Sequence, residues 1–132
     1  MRSRAVRVLA AAALAAGGMT AATTSTASAA PTGVQSCYGS AKSFVTTYVS
    51  PYHRWPGSGS ATTTSNCGDI NVKPVYGDDV RTCFLPSSGG VSCNAWRWIN
   101  AGSWGLAATD VKDGTKFYLQ FRIGYEEGLV AY

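Results

Sequence analysis

The sequence predicts an all-β protein, a small antiparallel β-sandwich or partly closed barrel that carries two disulfides. Two patterns indicate the strands: segments rich in β-branched and aromatic residues recur along the chain, and turn residues separate them. The third observation is four cysteines in a short chain that begins with an export signal. An even cysteine count in such a chain is typical of a disulfide-linked domain.

The N-terminal segment has the three parts of a secretory signal peptide. A head with three arginines precedes the apolar run "VLAAAALAAGGM", and a small-residue exit, "STASAAPT", follows it. The apolar run is shorter than the roughly 20 residues that a membrane-spanning helix needs. We therefore predict cleavage after Ala29, with residues 1–29 as signal peptide and residues 30–132 as one secreted, extracellular domain.

The charge of the chain comes mostly from this predicted signal. The formal net charge is +4, but residues 30–132 hold eight basic and seven acidic side chains. Such a balance lacks the basic footprint of nucleic-acid binding, and no basic amphipathic helix for a membrane surface is present. We expect neither nucleic acid nor a membrane as partner, and we expect a monomer.

The four cysteines allow three disulfide pairings, and the sequence favours one of them. The segment "CFLPSSGGVSC" predicts two short strands around a turn, which would bring Cys83 to Cys93 and leave Cys37 for Cys67. Loop-closure entropy gives about 3.6 kcal/mol for the longer loop and about 2.7 kcal/mol for the shorter one. A zinc site is not predicted, because the chain has no C-x-x-C spacing and a single histidine.

Two longer hairpins are predicted from alternation and turn residues. Residues 69–85 form the first, around the turn at Gly77, and residues 106–123 form the second, around Asp113-Gly114. Along the last arm one face is predicted to be buried and comprises Phe117, Leu119, Phe121 and Ile123. The other face is predicted to be solvated and comprises Lys116, Tyr118, Gln120 and Arg122. We expect six or seven strands, with residues 56–65 as a flexible loop.

Catalytic residues are not predicted. His53 has no sequence neighbour suited to orient it as a base, and the cysteines are expected to be oxidised. Three carboxylate pairs are candidates for glycoside hydrolysis, namely Asp78 with Asp79, Asp110 with Asp113, and Glu126 with Glu127. The first two lie where turns are predicted, and adjacent glutamates on a strand point apart. No cofactor-binding motif occurs either.

The segment "CNAWRWINAGSWG" raises the question of whether its tryptophans form a binding strip or a core. On a strand, Trp96 and Trp98 share one face with Asn94 and Asn100, and Arg97 lies on the other. Burying Arg97 without a partner would be costly, so we predict that Trp96 and Trp98 face the core. The alternative is a sugar-stacking strip, which requires both rings to be exposed.

The segment "SPYHRWPGSGS" is the predicted binding site. Two prolines restrict its backbone, and it carries Tyr52, His53, Arg54 and Trp55 in what the sequence suggests is a loop. Tyr, Arg and Trp are the residues most enriched at the energetic centres of protein interfaces. The alternative is that Trp55 folds back to cover one edge of the sandwich.

The segment "CGDINVKPVYGDDVRTC", residues 67–83, resembles the central hairpin of the tendamistat-type α-amylase inhibitors that actinomycetes secrete. The shared features are two cysteines around the pattern "VKxVYxDD". The resemblance implies a small antiparallel β-sandwich with sequential disulfides. In that family a Trp-Arg-Tyr triplet between the first two cysteines enters the enzyme, whereas here Arg54 precedes Trp55, and a Trp-Arg-Trp follows the fourth cysteine.

These observations together predict a secreted, non-enzymatic binding protein. We expect its partner to be an extracellular protein, a hydrolase such as α-amylase that it inhibits through residues 52–55. The alternative is a carbohydrate-binding or cell-surface module that contacts a polysaccharide through exposed tryptophans.

Overall fold

The computed structural model describes residues 32–132, so the predicted signal peptide lies outside the described residues. One short helix, α1 (Thr32–Gly39), precedes eleven strands. The strands are β1 (Lys42–Val45), β2 (Thr47–Val49), β3 (Tyr52–Trp55), β4 (Ala61–Thr62), β5 (Ile70–Pro74), β6 (Asp78–Phe84), β7 (Ser92–Cys93), β8 (Arg97–Ile99), β9 (Gly105–Ala108), β10 (Lys116–Phe121) and β11 (Glu127–Ala131).

The strands form two antiparallel sheets. The four-stranded sheet has the order β1-β11-β5-β9, and the seven-stranded sheet has the order β2-β3-β10-β6-β7, with β4 beside β10 and β8 beside β6. The predicted all-β sandwich with two disulfides is confirmed, and the sheets are not closed into a barrel. The chain has more strands than expected because many are only two to four residues long.

The core lies between the two sheets. From the seven-stranded sheet, Phe117, Leu119 and Phe121 of β10 are fully buried, as the alternation predicts. They meet apolar residues of the four-stranded sheet in one cluster, among them Ile70, Val72 and Val130. One face of β10 is therefore core, which leaves its other face, with Tyr118 and Gln120, on the outside of the sandwich.

Both predicted disulfides are confirmed. Cys83 and Cys93 are directly opposite each other on β6 and β7, so the predicted short hairpin is present. Cys37 bonds Cys67 and packs with Ala131 in a second, smaller apolar cluster. This pair attaches α1 to the sandwich.

The prediction of two longer hairpins is wrong. Strands β5 and β6 lie in different sheets, and so do β9 and β10. After Gly77 the chain enters the seven-stranded sheet as β6, beside β10. The carboxylate of Asp78 fixes it there, because it accepts backbone hydrogen bonds from residues 122–124. After Asp113 the chain enters the seven-stranded sheet as β10, because the N–H of Gly114 donates to the carbonyl oxygen of Thr63. Turn residues specify where the chain reverses but not which sheet the next strand enters.

Two smaller predictions are also corrected. Ile123 is 66 % exposed rather than buried, because β10 ends at Phe121 and the chain then bends around Asp78. Residues 56–65 are not wholly a loop, since Ala61 and Thr62 form β4 and Ala61 is buried against β10.

Candidate binding site

The segment predicted to be a binding loop is a strand inside the seven-stranded sheet, so the loop prediction is wrong. Residues 52–55 form β3, which lies between β2 and β10. Arg54 is opposite Gln120, and His53 is opposite the buried Phe121. Because neighbouring residues on a strand face opposite sides, Tyr52 and Arg54 lie on the outer face of the sheet. His53 and Trp55 lie on the inner side.

The two inner residues of β3 have separate surroundings. Trp55 is half-buried against the core, with ring centroids 6.2 Å from Phe44 and 5.9 Å from Tyr132. His53 lies near the sheet edge, 5.4 Å from the ring of Tyr48. The four residues of the predicted site therefore do not form one surface, because only Tyr52 and Arg54 lie on the outer face.

The outer face of the sheet brings together aromatic and arginine side chains from strands β3, β6 and β10, with Trp96 just before β8 and Arg122 just after β10. Gln120 of β10 is opposite both Arg54 of β3 and Arg81 of β6, so the three share this face. We define the aromatic–arginine face as Tyr52, Arg54, Arg81, Trp96, Tyr118, Gln120 and Arg122. All but Arg122 are half-buried, which leaves their rings and guanidinium groups accessible but well packed.

The centre of this face is a contact between Tyr52 and Trp96. Their rings meet edge to face with centroids 5.0 Å apart. The guanidinium carbon of Arg81 lies 4.4 Å from the Trp96 centroid and 5.2 Å from that of Tyr52, and Arg122 lies 5.8 Å from Trp96. Arg81 also donates from Nε to Oε1 of Gln120 at 2.7 Å. Stacked and bonded in this way, the cationic groups are held in place before any partner arrives.

A second stacked pair lies beside this centre. The guanidinium carbon of Arg54 lies 3.8 Å from the centroid of Tyr118, and Nη2 of Arg54 donates to the carbonyl oxygen of Gly59. Nε of Arg54 is buried and has no hydrogen-bond partner among the described residues. The residues of β3 and β10 therefore extend the face by one more arginine–aromatic pair.

Positive charge is concentrated on this sheet. The four arginines that follow residue 31 are Arg54, Arg81, Arg97 and Arg122, and all lie on or next to its strands. One of these arginines forms an ion pair: Oδ2 of Asp79 lies 3.5 Å from Nη1 of Arg122. A domain that is nearly neutral as a whole thus presents a local excess of guanidinium groups.

The prediction that Trp96 and Trp98 both face the core is wrong. Trp98 is 56 % exposed and lies opposite Asp79, while the half-buried Trp96 belongs to the outer face. Ile99 is the residue of β8 that enters the core. Alternation from Cys93 fails because Asn94 interrupts the strand: its backbone N–H and its side-chain oxygen both bond Thr82.

The face adjoins a second accessible surface at one end of the sandwich, which we call the loop end. It comprises the exposed side chains of Val75, Tyr76, Ile123 and Tyr125. The rings of Tyr76 and Tyr125 are 6.4 Å apart. A Cβ added to Gly77 would lie 3.4 Å from Cζ2 of Trp98, so the Trp98 ring packs on the turn that carries Tyr76. Trp98 also lies opposite Asp79, which pairs with Arg122 of the face, so the two surfaces adjoin.

Two buried carboxylates hold the backbone of the loop end. Oε1 of Glu126, a fully buried residue, accepts hydrogen bonds from the N–H groups of Val75, Tyr76 and Glu127 at 2.8, 3.0 and 3.1 Å. Asp78 accepts three more, from Arg122 and Ile123 at Oδ1 and from the next residue at Oδ2. Charge-assisted bonds of this kind are strong, so both loops are fixed in shape.

The same network affects one titrating group. Tyr125 donates from its hydroxyl to Oε2 of Glu127 at 3.0 Å. This hydrogen bond, together with desolvation and the negative charge of Glu127, raises the pKa of Tyr125 above its ordinary value of 10.0. Tyr125 therefore remains a neutral hydroxyl throughout the physiological range.

Several residues of these surfaces were not identified as site residues from the sequence. Tyr118, Gln120 and Arg122 were predicted to face solvent, and Asp79 and Arg81 alternate in the same way on β6. This alternation of buried and accessible residues is the one sign in the sequence that these side chains share an accessible face. It could not indicate a site, because the sequence did not show that β10 and β6 are neighbours and that β3 lies beside them.

Within residues 32–132 no group of three or more His, Cys, Asp or Glu side chains could hold a metal ion. The helix that the structure describes is too short and too polar to cross a membrane. Comparison with known proteins gives no significant match to a protein-family model, a curated protein or a solved structure.

Proposed function

We propose that this protein is a secreted, non-enzymatic binding protein that inhibits an extracellular hydrolase through the aromatic–arginine face and the adjoining loop end. The observation that carries the proposal is the packed cluster of Tyr52, Trp96, Arg81 and Arg122 on an accessible sheet face. A few residues supply most of the binding energy at a protein interface, and Tyr, Trp and Arg are enriched among them.

The packing of this cluster favours a protein partner. Binding costs less when side chains are already ordered, and here each arginine is stacked on a ring or bonded to a neighbour. The loop end adds exposed apolar groups on a fixed backbone. The predicted export signal and two disulfides support action outside the cytoplasm, where disulfides persist.

Inhibition assays test this proposal. The protein is titrated against an α-amylase and against a set of secreted proteases, with inhibition expected at micromolar concentration. Trp96→Ala should weaken inhibition about thirtyfold, the effect of losing about 2 kcal/mol at an interface centre. Tyr48→Ala is the control, because Tyr48 is an accessible aromatic residue that lies outside the cluster, at the sheet edge beside His53.

Two results would count against the proposal in different ways. If none of the enzymes is inhibited, the hydrolase is the wrong class of partner. If an enzyme is inhibited and Trp96→Ala behaves like the Tyr48 control, the contact surface lies elsewhere.

One observation favours a second function, binding of a polysaccharide. Trp98 is exposed, and its Nε1 donates to Oδ1 of Asn100 at 2.8 Å, which holds the ring in one orientation. A fixed, open indole suits stacking against a sugar ring. Soluble polysaccharides should then alter the tryptophan emission of the native protein but not that of Trp98→Ala. An identical response in both proteins would exclude Trp98 as the sugar contact.

A further inference from the structure

A cleft lies at the opposite end of the seven-stranded sheet from the loop end. Its volume is about 820 Å³, within the range of about 300–1,000 Å³ typical of small-molecule sites. One wall is residues 84–87, at the end of β6 and just after it, and the other is Lys112 with residues 114–116, just before β10 and at its start. The cleft is therefore remote from the loop end, and ligand binding in it does not depend on the function proposed above.

The walls combine an apolar surface with positive charge. Phe84, Leu85 and Pro86 form the apolar part, and Phe84 also packs against the core. Lys112 and Lys116 are the charged side chains that line the cleft. Among the described residues neither ammonium group has a hydrogen bond or an ion pair, so both are free to meet an anion. Asp113 lies between them in sequence but does not line the cleft.

Both walls are fixed by hydrogen bonds to other parts of the fold. Oγ1 of Thr63 donates to the carbonyl oxygen of Lys112 at 2.7 Å and accepts from the N–H of Thr115 at 2.9 Å. The N–H of Leu85 donates to the carbonyl of Lys116 at 2.9 Å, which joins the two walls at the base of the cleft. The Cys83–Cys93 disulfide closes the loop of residues 84–92 at its two ends. The cleft is thus present before a ligand binds.

From this combination we infer that the cleft binds a small organic anion with an apolar body. The apolar part of such a ligand would cover Phe84, Leu85 and Pro86, and its carboxylate or sulfonate would lie between the two lysines. Burial of apolar surface would supply most of the affinity, and the lysines would select for the anion.

Fluorescence titration with anilinonaphthalene sulfonate, an aromatic anion, tests this inference. We expect saturable binding at one site, and weaker binding of the uncharged analogue phenylnaphthylamine. Replacing both lysines, Lys112→Gln with Lys116→Gln, should weaken sulfonate binding about tenfold and leave the uncharged probe unaffected. The matched control is Lys42→Gln with Lys73→Gln, which removes the same charge from β1 and β5.

A steric variant tests the position of the apolar body. Ser87→Phe should weaken both probes because Ser87 lines the cleft, whereas Ser58→Phe, at an exposed serine elsewhere, should weaken neither. Competition with dodecanoate then distinguishes an aliphatic from an aromatic ligand: displacement of the sulfonate probe indicates that alkyl chains enter. Equal binding of charged and uncharged probes, or binding unchanged by the lysine and Ser87 variants, would overturn the inference.

Discussion

Residues 52–55 and residues 96–99 each carry tryptophan beside arginine, yet the fold treats them differently. Strand β3 has a partner on both sides, β2 and β10, and its Trp55 packs on the core. Strand β8 pairs only with β6 among the described strands, and its Trp98 is exposed. The side of the sheet that each tryptophan faces, inner for Trp55 opposite Leu119 and outer for Trp98 opposite Asp79, decides its burial, and local composition does not.

Neither of these two segments makes the binding surface alone. Tyr52 comes from the first segment and Trp96 from the second, and their rings meet over β10 and β6. A binding surface forms here because two distant segments enter one sheet with the same face outward.

The largest expected difference between the segments is in stability. Trp55→Ala should lower the free energy of unfolding by about 3 kcal/mol, since it removes a large ring from the edge of the core. Trp98→Ala should change it by less than about 0.5 kcal/mol, as is usual for an exposed site. Urea unfolding measures both. Similar losses in the two variants would show that exposure does not separate these tryptophans.

A smaller loss is expected at Asn94, which lies two residues before the second segment. Asn94→Ala should cost about 2 kcal/mol, because it leaves the N–H of Thr82 without its side-chain acceptor and removes one of the two side-chain donors to the carbonyl of Ala107. Asn100→Ala is the control, since Asn100 is an exposed asparagine whose side chain bonds Trp98 alone among the described residues. If Asn94→Ala is as stable as this control, another contact must set the break in alternation.

The next prediction is a loss of stability at the contact between Gly105 and Ile99, the residue through which β8 packs on the core. A Cβ added to Gly105 would lie 2.7 Å from Cγ2 of Ile99, so Gly105→Ala should cost about 1–2 kcal/mol by overpacking. The cost should fall when Ile99→Ala is also present, because the colliding methyl group is gone. A double-mutant cycle measured by thermal unfolding gives this coupling, and additive losses would contradict the predicted contact.

The smallest effect is spectroscopic and leaves stability unchanged. Trp98→Phe should remove most of the emission that acrylamide quenches, because Trp98 is the most exposed of the four tryptophans. Trp55→Phe should leave that quenched fraction nearly intact. A quenched fraction that falls equally in both variants would mean that the two rings are equally accessible.

Much of the fold follows from local patterns. The burial of Phe117, Leu119 and Phe121, and the solvated face between them, required only alternation along β10. The Cys83–Cys93 pair required only a short hairpin. These are properties of contiguous residues, and the physics that sets them acts within one strand or turn.

The two longer hairpins could not be predicted in the same way. At Gly77 and Gly114 the turn residues were recognised, but Asp78 bonds a loop 44 to 46 residues away, and Thr63 bonds a turn about 50 residues away. A sequence pattern that spans about ten residues cannot predict contacts between residues this far apart in the chain.

The sequence by itself determined the all-β class, the short hairpin that favours the Cys83–Cys93 pair and which face of β10 enters the core, because each depends on neighbours along the chain. The tertiary structure alone decided that β3 is internal, that Trp98 is exposed and that Tyr52, Trp96 and Arg81 meet. The reason is that these outcomes depend on which strands lie side by side, and strand order is set by long-range hydrogen bonds and packing across the whole sandwich.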